Sequence, residues 1–289
     1  MIVKSLTLEN NDIPEQLKGI PNAPKKLYYR GIAREEWLSR PLVAVVGSRK
    51  TDEYGKYATK SITTELARFG VVIVSGLAMG VDAIAHQSAL DEGGITVAIS
   101  PCGIDSIYPR TNGMLGKKII NQGALISEHE GNYSPHPHDF LIRNRLISGL
   151  SMAVLVTQAA ARSGSLNTAN HALEQGKIVM AVPGPINNPL CEGPNNLIKM
   201  GAIPVTCAED VLKALDIRVE ISTGEKDYDL LAHNAFELKI IQLLRDGIAD
   251  GEELAQKSAM TAQEFNTYLT MLEIRNVIVP LGSNKWSLN

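Results

Sequence analysis

No apolar run in this chain approaches the roughly 18 residues that a membrane span needs, which argues against a helical membrane protein. Cysteine is scarce. The three present, Cys102, Cys191 and Cys207, are odd in number and scattered, so a disulfide framework is not expected and a reducing compartment fits. Their spacing matches no zinc pattern. The opening stretch MIVKSLTLENNDIPE turns polar and acidic at once, so no signal peptide is expected and the expected location is cytoplasmic. Two nucleotide signatures are missing as well. Neither G-x-G-x-x-G nor the phosphate-loop lysine motif occurs, which argues against a nicotinamide dehydrogenase or an ATPase. Nor is there an excess of positive charge: 28 Lys and Arg stand against 31 Asp and Glu, a net charge of -3. Residues 226–289 hold six of those cations and nine of the anions, so the whole deficit lies there and residues 1–225 balance. Any electropositive site must therefore be a local cluster and not a global field.

What the chain does have is a rhythm. Short apolar runs near 43–46, 71–74, 95–99, 124–127, 153–156, 178–182 and 203–205 predict strands. Between them, helices are predicted over 53–69, 80–91, 111–122, 140–150, 165–175, about 193–200 and 208–215. Gly70 and Gly176 fall where helix C-caps belong. Alternation of this kind gives an α/β fold with a doubly wound, mainly parallel sheet and helices on both faces. Residues 1–40, punctuated by proline, are expected to be a lead-in packed on a main domain at 41–215. Residues 216–228 look like a linker. Residues 229–289 read as three helices and a hairpin, a winged-helix pattern.

In a parallel sheet, the loops at the strand carboxyl ends line one crevice where ligands sit. Gly47-Ser48-Arg49 is such a loop. Ser75-Gly76-Leu77-Ala78-Met79-Gly80 is another, and its glycines offer either a phosphate-binding loop (Ser75, Gly76, Gly80) or tight strand-to-helix packing. Asp82 and His86 share a helix face, as an acid/base pair or as a brace of their own helix. At Phe140-Leu141-Ile142-Arg143-Asn144-Arg145, arginine forks match phosphate oxygens and an aromatic ring can stack a base. The bland alternative is an exposed helix start with surface arginines and Phe140 as a core anchor. Ser163, Gly164 and Ser165 precede a helix and could cap it, hold an anion, or both. His129, His136 and His138 cluster near Glu128 and Glu130, but in a proline-rich loop without a helical H-x-x-x-H, so no metal is expected.

Together these stretches resemble the DprA (Smf) family, DNA-processing protein A. The resemblance is carried by VVGSR (Val45–Arg49), SGLAMGVD (Ser75–Asp82), CGIDSIYP (Cys102–Pro109), SEHE (Ser127–Glu130), FLIRNRLISGLS (Phe140–Ser151), SGSLNTANHALEQGKIVMAVPGP (Ser163–Pro185) and GPNNLIKMGA (Gly193–Ala202). It implies an extended Rossmann-like domain, binding of single-stranded DNA, homodimers, and no cofactor or catalytic reaction. The family's role in natural transformation implies three further tasks: protecting incoming strands, displacing single-strand-binding protein and loading the RecA recombinase. By motif position, Arg49 resembles the phosphate-contacting arginine; Phe140, Arg143, Asn144 and Arg145 resemble the aromatic and R-N-R motif. Three features depart from the family: Leu141 stands where proline is usual, Glu128-His129-Glu130 replaces acidic-aromatic-proline, and residues 1–40 are too short for the usual N-terminal helical module. The enzymatic alternative is a Rossmann-like phosphoribohydrolase. Its P-G-G-x-G-T-x-x-E loop corresponds here to SGSLNTANHA, which has no glutamate. For the acidic winged helix, whose GEELAQKSAMTAQEFNTYLTMLE carries four glutamates against Lys257 alone, a protein-contact role is expected in place of a grip on DNA.

Overall fold

A computed structural model describes residues 6–9, 12–217, 232–275, 277–282 and 284–288. The elements run β1 (Leu6–Glu9), α1 (Glu15–Lys18), β2 (Lys26–Gly31), α2 (Glu35–Leu38), β3 (Leu42–Val46), α3 (Glu53–Arg68), β4 (Val72–Ser75) and α4 (Val81–Asp91). They continue with β5 (Thr96–Gly103), α5 (Gly113–Gln122), β6 (Ala124–His129), α6 (Pro137–Leu150), β7 (Ala153–Val156), α7 (Ser165–Glu174) and β8 (Ile178–Ala181). Next come α8 (Glu192–Lys199), β9 (Ile203–Pro204) and α9 (Ala208–Ala214). After 218–231 follow α10 (Ala235–Arg245), α11 (Gly251–Ser258), α12 (Ala262–Ile274), β10 (Ile278–Gly282) and β11 (Lys285–Leu288). The chain divides into two compact units at Arg218/Val219. Nearly all of the segment expected as a linker lies outside the described residues.

The runs LVAVV, VIVS and AVLV have almost no polar side to offer water, and β3, β4 and β7 are buried throughout. Such strands belong in the middle of a parallel sheet covered on both faces. The first unit holds a nine-stranded sheet in the order β1-β2-β6-β5-β4-β3-β7-β8-β9. From β6 to β9 every neighbouring pair is parallel. The chain steps outward from β3 to β6, then crosses back and resumes on the other side of β3 with β7. That reversal makes β3/β7 the topological switch point, where the following loops diverge and leave a crevice. Helices α6 and α7 pack on one face, and α3, α4 and α5 on the other. The doubly wound, mainly parallel α/β architecture is thus present as the sequence implied.

The lead-in does more than pack on the domain. It supplies β1 and β2, which extend the sheet antiparallel beyond β6. Leu17, Leu27 and Trp37 are fully buried in the same core as Leu146, Ile147 and Leu150 of α6. Trp37 stacks on Tyr29 and donates Nε1–H to its hydroxyl at 3.1 Å.

The second unit is a small winged helix with its own core of Ile240, Ile241, Leu254, Leu269, Leu272 and Ile278. Its helix starts follow from local chemistry. Asn234 and Asp250 accept amides at the heads of α10 and α11, and Thr261 with Glu264 forms a capping box on α12. β10 and β11 pair as an antiparallel hairpin.

Because Trp37 fastens the N-terminal segment to the main core, Trp37→Ala is expected to cost about 3–5 kcal/mol, the usual range for a large buried side chain. Urea denaturation of the full chain checks this; a midpoint unchanged from the parent chain would show that the segment adds nothing to the fold.

Candidate nucleic-acid interface

The crevice at the switch point is a cavity of about 520 Å³. Its wall combines the loop after β3 (Gly47 to Lys50), Ala78 and Asp82 near the head of α4, and Phe140, Leu141, Arg143, Asn144 and Ile147 of α6. Ala160, Ser163, Gly164 and Ser165 close it from the β7 side. Sequence elements nearly 120 residues apart therefore meet in one place because of the order of the parallel strands.

The loop after β3 is held rigidly. Ser48 donates its amide to Gln158 O at 2.6 Å, while its hydroxyl donates to Lys50 O and accepts from the Lys50 amide. Gln158 is a fully buried polar hub. Its Oε1 accepts from Thr51 Oγ1 at 2.6 Å and from the Asp52 amide at 3.2 Å, and its Nε2 donates to Asp52 Oδ1 at 2.8 Å. Asp52 in turn caps α3 and accepts from Asn188 Nδ2 at 2.7 Å. Three strand-end loops are thereby cross-tied, leaving Arg49 at the tip. The Arg49 guanidinium is exposed, lies 5.3 Å above the Phe140 ring, and has no hydrogen bond or ion pair among the described residues. Lys50 beside it is also exposed.

Arg143 behaves differently. It is only 6% exposed. Its Nη1 donates to the carbonyls of Gly76, just after β4, at 2.8 Å, and of Ile99, within β5. Burial pulls its guanidinium down to about 10, and the neighbouring Asp82 carboxylate opposes that. Asp82 accepts the amides of Gly76 and Ala78 at 3.1 and 3.3 Å. Burial pushes its carboxyl up, against the pull of Arg143 and those amides.

At Ser75, Gly76 and Gly80, where a phosphate-binding loop was one expectation, the structure shows groups of the protein itself. The loop's amides already hold an anion, the Asp82 carboxylate. Ser75 is buried and its hydroxyl donates to Val45 O at 2.7 Å. A Cβ on Gly76 would stand 2.7 Å from Arg143 Nη2 and 2.8 Å from Asp82 Oδ2, so this glycine makes room for side chains of the protein itself. Gly80 has φ of 74° and packs on the Ser48 carbonyl, which also accepts the Val81 amide. Tight packing is what these glycines serve.

Arg145, also expected at the site, is not among the residues that line the crevice. It is 9% exposed, points away from the crevice lining, and pairs with Glu128 at 2.6 Å. Asn144 lines the crevice and braces it, donating to Gly164 O and Asn167 Oδ1 at 3.3 and 3.2 Å. The Ser163 and Ser165 hydroxyls bond each other at 2.8 Å, and Ser163 Oγ accepts the Ser165 amide at 3.4 Å. Helix α6 starts at Pro137, earlier than expected, because His136 and Asp139 form a capping box. His129 stacks on Tyr133 with ring centroids 4.0 Å apart, and His138 sits 3.2 Å from Asp139. Among the described residues no group of His, Cys, Asp and Glu is arranged to hold a metal. His86 is buried with Nδ1 bonded to Thr96 Oγ1 at 2.6 Å, a structural brace of its helix.

Sequence reading missed Lys50, Gln158, Asp52, Asn188 and Tyr108. Tyr108 meets Phe140 edge-on at 5.5 Å. The available signal was position: each follows a strand at its carboxyl end or lies in a loop on that edge.

Arg143→Ala is expected to destabilise the fold by about 2–4 kcal/mol, since it strands two carbonyls and the Asp82 carboxylate. Chemical denaturation reads that loss, and a stable variant would contradict the buried role. His86 provides a pH test. Burial lowers it from 6.5 to about 3, so between those values the unfolded chain binds a proton that the folded chain does not. Its contribution is complete above pH 6.5 and is lost as pH falls towards 3, by up to about 1.4 kcal/mol per pH unit. Urea midpoints of His86→Gln should depend less on pH than the parent's between about pH 6 and about pH 4.

With the geometry defined, comparison with known proteins is informative. Residues 4–216 match the family described as DNA recombination-mediator protein A. The chain is 45% identical over 277 residues to protein Smf of Escherichia coli, covering 93% of this chain and 74% of that protein. It is 38% identical over 216 residues to DNA processing protein DprA of Bacillus subtilis, covering 75% and 72%. The X-ray structure of DprA from Streptococcus pneumoniae superposes with a TM-score of 0.69 at 39% identity, covering 74% of each chain. A structure of DprA from Helicobacter pylori, described for its single-stranded DNA binding mode, superposes with a TM-score of 0.67 at 36% identity, covering 74% of this chain and 96% of that one. A match over the whole sheet-bearing unit, with relatives well above 30% identity, places the chain in the DNA recombination-mediator protein A family.

Proposed function

We propose that the switch-point crevice grips the sugar–phosphate backbone of single-stranded DNA, and that the chain protects incoming strands during natural transformation. The observation that carries this reading is the Arg49 guanidinium, exposed, without a partner among the described residues, and held 5.3 Å above Phe140 at the crevice mouth. A guanidinium steadied by a ring and by a cross-tied loop is preorganised for a phosphate. Lys50 adds a second exposed cation. The Helicobacter pylori relative, described as binding single-stranded DNA, supports the same use.

The reading is of a binding protein without a catalytic cycle. Asp82, the acid among the lining residues, is committed to two amides and neighbours Arg143. The stretch Ser163–Ala172 that would need a glutamate in a phosphoribohydrolase carries no carboxylate. The chain works as a homodimer in this reading, so that two crevices engage one strand and avidity compensates for few contacts. Its further partners are single-strand-binding protein, which it displaces, and the RecA recombinase, which it loads.

Arg49→Ala is expected to weaken single-strand binding about tenfold and to flatten the log–log salt dependence by about 0.7, the share of one phosphate contact. Arg49→Lys keeps the slope and loses part of the affinity. Fluorescence titrations at several salt concentrations give both numbers. Affinity and slope untouched in Arg49→Ala would reject the crevice as the binding site.

A further inference from the structure

We propose that Tyr108 is the platform on which a nucleobase of the bound strand stacks, an inference that rests on the crevice reading above. Phe140 is the obvious candidate from sequence, but its surroundings are taken. Arg49 lies over its ring at 5.3 Å, and Tyr108 packs against it in a T-shaped pair at 5.5 Å and 65°. Phe140 is therefore an anchor that positions one cation and one aromatic. Tyr108 is 46% exposed, and its hydroxyl has no hydrogen-bond partner among the described residues.

The ring is presented by a firm support. Tyr108 belongs to the loop after β5, on the same edge of the sheet as the crevice loops. Asn112 fastens that loop, donating to Leu77 O at 3.0 Å and Ala78 O at 3.2 Å. Beside the ring lies a small depression of about 40 Å³ lined also by Met79, Pro101 and Pro109. It shares Arg49, Ala78, Phe140 and Arg143 with the large cavity, so the two adjoin. Met79 is 47% exposed, a soft apolar neighbour suited to the edge of a flat ring. Phosphate beside Arg49 and base beside Tyr108 are thus adjacent places for one nucleotide. Every base has a π face, so the platform is indifferent to sequence; paired and stacked bases of a duplex cannot use it.

The test compares oligothymidylate with an abasic strand of equal length, on the parent chain, Tyr108→Ala, Tyr108→Leu and Arg49→Ala. Tyr108→Leu keeps an apolar side chain against Phe140 while removing the π face. Both Tyr108 variants are expected to bind oligothymidylate about 5- to 100-fold more weakly, with abasic affinity and salt slope unchanged. Arg49→Ala is expected to weaken both strands. Tyr108→Phe, which retains the π face, should bind as the parent does. If the Tyr108 variants bind oligothymidylate like the parent, or lose both strands equally, the platform is overturned while the crevice stands. If the parent chain binds neither strand, the crevice reading falls and takes the platform with it.

Discussion

Arg143 buried at the carboxyl edge of the sheet is the contact on which the crevice depends. Its guanidinium joins α6 to β4 and β5 through the carbonyls of Gly76, just after β4, and Ile99, within β5. Helix α6 is buried continuously from Arg143 to Leu150, which is costly for a stretch that opens with arginine, asparagine and arginine. The cost is lowered by a partner for each side chain, although Arg143 Nε and Arg145 Nε and Nη1 are buried without one. Arg143 takes the carbonyls of Gly76 and Ile99, Asn144 takes the loop before α7, and Arg145 takes Glu128. Once α6 is fixed in that way, Phe140 projects one turn earlier, and Arg49 and Tyr108 have a surface to rest on.

The opposite wall has its own fastening. Gln158 and Asp52 gather Thr51, Asn188 and the Ser48 amide into one network at the switch point. A buried polar network of this kind is stabilising only when its members are satisfied, and the Gln158 amide finds donors and acceptors on both its atoms. The two fastenings have a common result. They hold both walls of the crevice in place, while Arg49 and Lys50 stand exposed beside it.

The mainly parallel sheet and the two-faced helical cover were legible in the sequence because central parallel strands are apolar on both sides, and β3, β4 and β7 read that way; the strand order came only with the structure. The N-terminal strands were not legible. LTLE and KLYYRG are short and sit in a segment punctuated by proline, and their place in the sheet is set by the pairing of β2 with β6 and of β1 with β2, a tertiary fact. The R-N-R motif was legible as a site but not in its division of labour. Residues two apart on a helix differ by about 200° in direction, so Arg143 and Arg145 could not both face the crevice. Arg145 is the one that turns away, where it pairs with Glu128, and nothing in the motif itself marks that pairing. Likewise the glycines of Ser75–Gly80 announced close approach, but what approaches is the protein's own arginine and carboxylate and not an external phosphate.

The distribution of charge completes the argument. A chain of net charge -3 still offers cations where they count, because at physiological salt a field fades within about 8 Å and only nearby groups matter. At the crevice mouth those groups are Arg49 and Lys50, with the one lining acid engaged inward. The winged helix shows the converse. Its shape is one that often enters a DNA groove, yet α12, the helix that would lie there, carries Glu264 and Glu273 and no lysine or arginine from Ala262 to Ile274. On α11, Lys257 is engaged by Glu253 at 2.8 Å. Fold alone would assign duplex reading to this unit; the acidic side chains of α11 and α12 are unfavourable for a grip on phosphate.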